Sequence, residues 1–167
     1  MIISNATPLI NFSMIGELGI LKQLFNTIVV PEAVWHEIVI KGEAYPSAGA
    51  IRQSDFLSRQ RISNTMLFHT LSMNLSAGET ETIVLAIERN AQLVLLDELE
   101  ARSVAKHFGL KFMGSIGCLI EAKQRGIIPQ IRSYLDRMKS SAKFWVDDRL
   151  YERIMKDQGE YTDLQSS

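Results

Sequence analysis

Leu93-Val94-Leu95-Leu96-Asp97 is the stretch on which the fold turns. An unbroken apolar run of this length, ended by a carboxylate, reads as a strand covered on both faces, with an acid at its carboxyl edge. The start of the chain repeats the pattern, with Met1-Ile2-Ile3 running into Asn5. A third run, Ile28-Val29-Val30, leads into a helical segment that carries Glu37, and Glu79 opens a helical segment just upstream of Leu93. Open parallel sheets bind ligands at the carboxyl ends of their strands. Three carboxylates and an amide oxygen at that edge make an oxygen-rich pocket suited to Mg²⁺ or Mn²⁺. Such a pocket points to metal-assisted phosphodiester chemistry.

Short apolar runs alternate with helical-period segments along the chain, which predicts parallel βαβ units and an α/β fold. Met1 to Ser4 reads as the first strand, and Thr7-Pro8 as the cap and first-turn proline of a helix holding Leu9, Ile10 and Phe12. Gly16 breaks that helix, and Leu18, Ile20, Leu21 and Leu24 form a second stripe. Thr27 to Val30 is the next strand, and Pro31 opens the helix with Val34, Trp35 and Ile38. Beyond Lys41 the pattern weakens: Gly42, Pro46 and Gly49 read as a loop, Ile51 to Arg59 as a helix and Arg61 to Ser63 as a short strand. Regular order resumes with Ser76 and the helix of Ile83, Val84 and Ile87, then the strand ending at Asp97. A helix over Ala101 to Phe108 follows, stopped by Gly109, then a strand at Lys111 to Met113. Helices after Gly114, around Ile131 to Met138 and around Leu150 to Met155 complete one domain over residues 1–158, with 159–167 read as a disordered tail.

A chain of 167 residues with 46% apolar and 22% charged content is long enough, and ordinary enough, to fold as one globular domain. The single Cys118 excludes an internal disulfide and a multi-cysteine zinc site, and suits a reducing compartment. The start of the chain has no signal-peptide pattern and no apolar run reaches membrane-spanning length, so a cytoplasmic location is expected. The net charge of −1 hides an asymmetry. Glu79 to Glu100 holds six acids against Arg89 alone, whereas Arg102 to Lys143 holds nine bases against Glu121 and Asp136. A basic segment beside an acidic pocket offers one surface to phosphates and another to cations, although such bases also serve simply to solvate helix faces.

Each candidate ligand has a structural alternative. Asp97 also suits the N-cap of the helix holding Glu98 and Glu100. Ser76-Ala77-Gly78-Glu79 matches a capping box, in which the glutamate reaches back to the cap residue's N–H. Glu37 is otherwise a solvated helix residue, and Asn5 a cap or turn residue. His36, His69 and His107 have no spacing suited to zinc or to a nucleophilic triad.

Taken together, several segments resemble successive landmarks of the PIN-domain family. They are Ile3-Ser4-Asn5-Ala6-Thr7-Pro8-Leu9-Ile10, Val30-Pro31-Glu32-Ala33-Val34-Trp35-His36-Glu37-Ile38 and Leu75-Ser76-Ala77-Gly78-Glu79-Thr80-Glu81. Leu95-Leu96-Asp97-Glu98 with Ala101-Arg102, and then Gly114-Ser115-Ile116-Gly117, continue the series. The resemblance is to a prokaryotic branch related to VapC-type toxins, and it runs from Met1 to about Gly126 with a similar helical region beyond.

This resemblance implies a three-layer α/β/α fold with a twisted parallel sheet. It also implies a Mg²⁺- or Mn²⁺-dependent endoribonuclease, the toxin of a toxin–antitoxin pair, with RNA as substrate, a small antitoxin protein as partner and a homodimer as the assembly. The apolar helices near the N-terminus would supply the dimer surface. Asn5, Glu37, Glu79 and Asp97 would be the catalytic, metal-binding set, with Thr7 and Ser115 behind them. Arg102, Lys106, Lys123 and Arg125 are candidate contacts to the RNA backbone. The family usually has aspartate where this chain has Asn5, whose amide oxygen still ligates a hard cation but brings no charge. A catalytically weakened, PIN-like protein-binding module is the competing reading.

Overall fold

The period-2 alternation of the short apolar strands sends neighbouring side chains to opposite sides of one sheet. The computed structural model describes residues 1–161. Its five strands are β1 (Ile2–Ser4), β2 (Ile28–Pro31), β3 (Leu57–Gln60), β4 (Leu93–Leu95) and β5 (Phe112–Met113). All pair in parallel, in the order β3-β2-β1-β4-β5. The helices are α1 (Ala6–Met14), α2 (Leu18–Phe25), α3 (Glu32–Trp35), α4 (Pro46–Arg52), α5 (Thr65–Leu71), α6 (Ala77–Glu88), α7 (Leu99–His107), α8 (Ser115–Gln124), α9 (Arg132–Ser141) and α10 (Asp148–Asp157). A π-helical turn, His36–Lys41, extends α3.

Ile28, Val30 and Leu95 face a core shared with α1, α2, α8, α9 and α10. Ile3, Val29, Val94 and Leu96 face the other side, where α6 and α7 supply Ile83, Leu85, Ala101 and Ala105. The result is the three-layer α/β/α arrangement expected from the sequence. Among the described residues no helix is long and apolar enough to cross a membrane.

The structure departs from the sequence reading in four places. Helix α1 begins at Ala6, so Asn5 and not Thr7 holds its N-cap position, although Asn5 makes no side-chain cap bond. Pro46 starts α4 and Gly49 lies within it, so these residues open and fill a helix where a loop was expected. The third strand is Leu57–Gln60; its edge position leaves Ser58 and Arg59 exposed, which hides it from an apolar pattern. Helix α5 buries none of its residues and therefore gives no stripe to find. Of the apolar residues of α1 and α2, Leu9, Phe12, Ile20 and Leu21 lie in the core at 3% exposure or less, while Ile10, Met14, Leu18 and Phe25 are half-buried.

The expected tail at 159–167 needs correction at its start, and residues 162–167 lie outside the described part. Glu160 accepts hydrogen bonds from the Ile131 and Arg132 N–H groups, each 2.9 Å, and from Lys123 Nζ at 2.8 Å. Its carboxylate thereby caps α9 and ties it to α8. Burial pushes the Glu160 carboxyl up, but the bonds from Lys123, Arg132 and Ile131 outweigh it and hold it below its ordinary value of 4.5. A depressed folded-state value gives stability that is present above the ordinary value and lost as pH falls through the folded one. Glu160→Gln is therefore expected to cost about 2 kcal/mol at pH 7. Urea unfolding of both proteins from pH 7 downward should show the difference shrinking below the ordinary glutamate range.

Candidate metal centre

The strand order fixes where a ligand site forms. From β1 the chain leaves toward α1 on one face, and from β4, its parallel neighbour, toward α7 on the other. A crevice opens between two strands whose connections diverge in this way. Asn5 stands at one lip, with its N–H still bonded to the Leu95 carbonyl at 3.0 Å, and Asp97 and Glu98 stand at the other.

The Asn5 side chain is buried, and its Nδ2 donates to Glu98 Oε2 at 3.0 Å. Thr7 Oγ1 donates to the other oxygen of the same carboxylate. Because a carboxylate accepts only, this contact turns the amide so that Asn5 Oδ1 points away, where it is buried with no hydrogen-bond partner. Opposite it lies Gly78. A methyl group at that position would stand 3.4 Å from Asn5 Oδ1 and 3.0 Å from Glu37 Oε2. The amide oxygen and the carboxylate therefore border one small space, and glycine keeps it clear.

Glu37 reaches that space from the π-helical turn. The helix carrying it is pinned at its start by the Ala33 N–H donating to Glu81 Oε2 at 2.7 Å. It ends at Gly42, where any side chain would collide with the Ile38 carbonyl oxygen. Desolvation raises the Glu37 carboxyl above its ordinary value, Glu98 and Glu79 raise it further, and Lys41 opposes them. Glu37 and Lys41 form a wall between two clefts. One, of about 330 Å³, also holds His36, Ser76 and Gly78; the other, of about 490 Å³, extends toward Ile10, Tyr45 and Lys143.

The remaining two acids are engaged within the protein. Glu79 and Ser76 form the capping box, with the Ser76 N–H donating to Glu79 Oε2 at 2.8 Å and the Glu79 N–H to Ser76 Oγ at 3.2 Å. Asp97 caps a helix, but not the one that follows it: it accepts from the Ser115 N–H at 2.8 Å and from Ser115 Oγ at 2.6 Å, at the start of α8. The cap position of α7 belongs to Glu98. Asn11 Nδ2 donates to Ser115 Oγ at 3.0 Å and so completes a buried chain behind Asp97. Burial raises the Asp97 carboxyl, while the Ser115 bonds and then Arg102 pull it back. Among the described residues, no three His, Cys, Asp or Glu side chains are gathered closely enough to hold an ion by themselves. The structure thus brings Asn5, Glu37 and Glu98 together, keeps Glu79 within electrostatic reach, and holds Asp97 with Ser115 in a separate network.

Three of the four expected RNA contacts are bonded within the protein. Arg102 Nε donates to the Leu96 carbonyl at 2.8 Å, and its Nη2 lies 3.6 Å from Asp97. Lys123 donates to the Gln158 carbonyl and to Glu160, and Arg125 to Glu121 and the Leu24 carbonyl. Lys106 is exposed on α7. Sequence reasoning overlooked Glu98, although it adjoins Asp97 at the strand end, and also Asn11 and Glu81.

A parallel sheet with oxygen donors gathered at its switch point defines an α/β protein with an acidic β1–β4 edge. The chain belongs to the PIN-domain family: the family described as "DUF3368: PIN domain" matches residues 1–160. Among solved structures, it is similar to the Mycobacterium tuberculosis toxin VapC20, described as sarcin-ricin loop cleaving. That match has 12% identity and a TM-score of 0.46, and covers 62% of this chain and 95% of that one. No curated protein matches.

The residues present fit a hard divalent cation. An unpaired buried amide oxygen carries a desolvation cost of about 1–3 kcal/mol, which a cation beside it relieves. The neighbouring donors are carboxylates whose mutual repulsion the same ion offsets.

Asn5→Asp replaces the donor that Glu98 accepts from with a second carboxylate. In EDTA the variant is expected to lose about 2 kcal/mol of stability, and to regain more of it from Mn²⁺ than the wild type gains. Calorimetric melts with and without Mn²⁺ check this. Equal metal-free stability would mean that the Asn5–Glu98 bond contributes nothing, and an equal Mn²⁺ response would place the ion elsewhere.

Proposed function

We propose that this chain is a cytoplasmic, Mg²⁺- or Mn²⁺-dependent endoribonuclease, the toxin of a toxin–antitoxin pair restrained by a small antitoxin protein. The observation that carries the nuclease reading is the unpartnered Asn5 Oδ1 facing the Glu37 carboxylate across Gly78. Membership of the PIN-domain family supports it, and the resemblance of the sequence motifs to VapC-type toxins supports the antitoxin.

Asn5 and Glu37 would hold the ion, with Glu98, Glu79 and Asp97 adding negative charge around them. When bound, the ion supplies activation of water and neutralisation of charge on the phosphate. Glu37 lines the smaller cleft as well as the space beside Asn5 Oδ1, so an ion held there would lie within reach of a phosphate entering the cleft. Lys41, on the same wall, offers a cation to a phosphate oxygen. Thr7 and Asn5 fix the Glu98 carboxylate, and Asn11 and Ser115 fix Asp97, so the donors are oriented before substrate arrives.

The engagement of Glu79 by Ser76 and of Asp97 by Ser115 favours the second reading, a PIN-like module that binds protein and has lost cleavage. Incubating structured RNAs with Mn²⁺, with Mg²⁺ and with EDTA separates the two. The nuclease is expected to cut with either ion and not with EDTA. Glu37→Gln should slow cutting by about 10²–10⁴-fold while leaving the melting temperature unchanged or higher. Intact RNA in both metals would favour the binding module.

A further inference from the structure

The larger cleft, of about 490 Å³, has chemistry unlike that of the carboxylate pocket beside it. Its floor is apolar, with Ile10, Met14 and Ile38, and its volume falls within the range of small-ligand sites, about 300–1,000 Å³. Tyr45 stands at its edge with 66% of its surface exposed, far more than the anchoring of α4 requires. Lys41 and Lys143 also line the cleft, and neither makes a salt bridge among the described residues. An exposed aromatic ring, an apolar floor and two cations are complementary to a base and its flanking phosphates. The cleft adjoins the smaller one through the shared Glu37 and Lys41.

We propose that this cleft binds one unstacked nucleotide of a single-stranded RNA, next to the phosphate presented to Glu37. The base stacks on Tyr45, and Lys41 and Lys143 contact the phosphates on either side. A duplex cannot enter without releasing that base, so the cleft selects single strands and loops. The inference rests on the nuclease reading for the neighbouring pocket, but binding in the cleft is measurable without cleavage.

The test uses the full chain and a fluorescein-labelled single-stranded RNA 12-mer in EDTA, with the same sequence as a duplex for comparison. Anisotropy should show tighter binding of the single strand. Tyr45→Ala should weaken it by about tenfold or more, and Tyr45→Trp should preserve it. Lys143→Gln should weaken binding and lower the salt slope by about one. Melting curves check the fold of each variant. Wild-type affinity in Tyr45→Ala would overturn the cleft. So would a wild-type chain that binds neither RNA, which would leave a protein segment as occupant. Cleavage of the 12-mer is followed in parallel with Mn²⁺. Metal-dependent cutting with a KM unchanged by Tyr45→Ala overturns the cleft alone. Tyr45-dependent binding without cutting supports the cleft and counts against the nuclease.

Discussion

Parallel pairing of β1 with β4 is the constraint on which the rest depends. The register Ile2↔Leu93, Ile3↔Val94 and Ser4↔Leu95 ends both strands at the same level, so that Asn5 and the Asp97-Glu98 pair emerge side by side. Their connections then diverge to opposite faces, which leaves the side chains at the strand ends to fill the space between. The helices that follow the strands begin at this edge, and their N-terminal N–H groups give it a partial positive charge. A run of acids is tolerable there, and would be expensive at the opposite edge. The fold therefore explains both where the acids gather and why they can.

Within that edge, burial sets a second condition. Like charges brought together in a crevice must be bonded, neutralised or joined by a cation. Asp97 is bonded, through Ser115 at the start of α8. Glu79 is bonded, through the cap of its own helix. Glu98 has two neutral donors, Asn5 and Thr7. The Glu37 carboxylate has no hydrogen bond among the described residues, and burial raises it above its ordinary value. A carboxylate without an internal partner thus faces, across a glycine, a buried amide oxygen that has none among the described residues. That pairing of deficits distinguishes a place for a ligand from a merely acidic surface.

Local pattern made much of this legible. The apolar runs of β1, β2 and β4 announced a parallel sheet, and Ser76-x-x-Glu79 announced its capping box, because each depends on neighbours in sequence. The third strand was expected at Arg61 to Ser63 and lies at Leu57–Gln60, and helix α5 was not expected, because neither presents a continuous apolar face. The π-helical turn has no local marker beyond Gly42, whose absent side chain the Ile38 carbonyl requires. The partners of Glu98 lie 93 and 91 residues away, and those of Lys123 lie 35 and 37 away, so no local pattern could reveal what those side chains do. Charge alone suggested that Lys123 faces outward, whereas the Gln158 carbonyl and the Glu160 carboxylate engage it.

Asn5 is the point at which these lines meet. Aspartate there would add a ligand charge, but it would set two carboxylates against each other where the amide now donates to Glu98. The amide serves both sides at once: its nitrogen satisfies Glu98, and its oxygen, turned away by that bond, is presented to the space beside Glu37. A neutral bridge keeps the metal-free pocket folded at a smaller electrostatic cost than four carboxylates would, at the expense of affinity for the ion. On this argument the asparagine belongs to a site that must stay intact while empty, and it need not be the relic of one that has decayed.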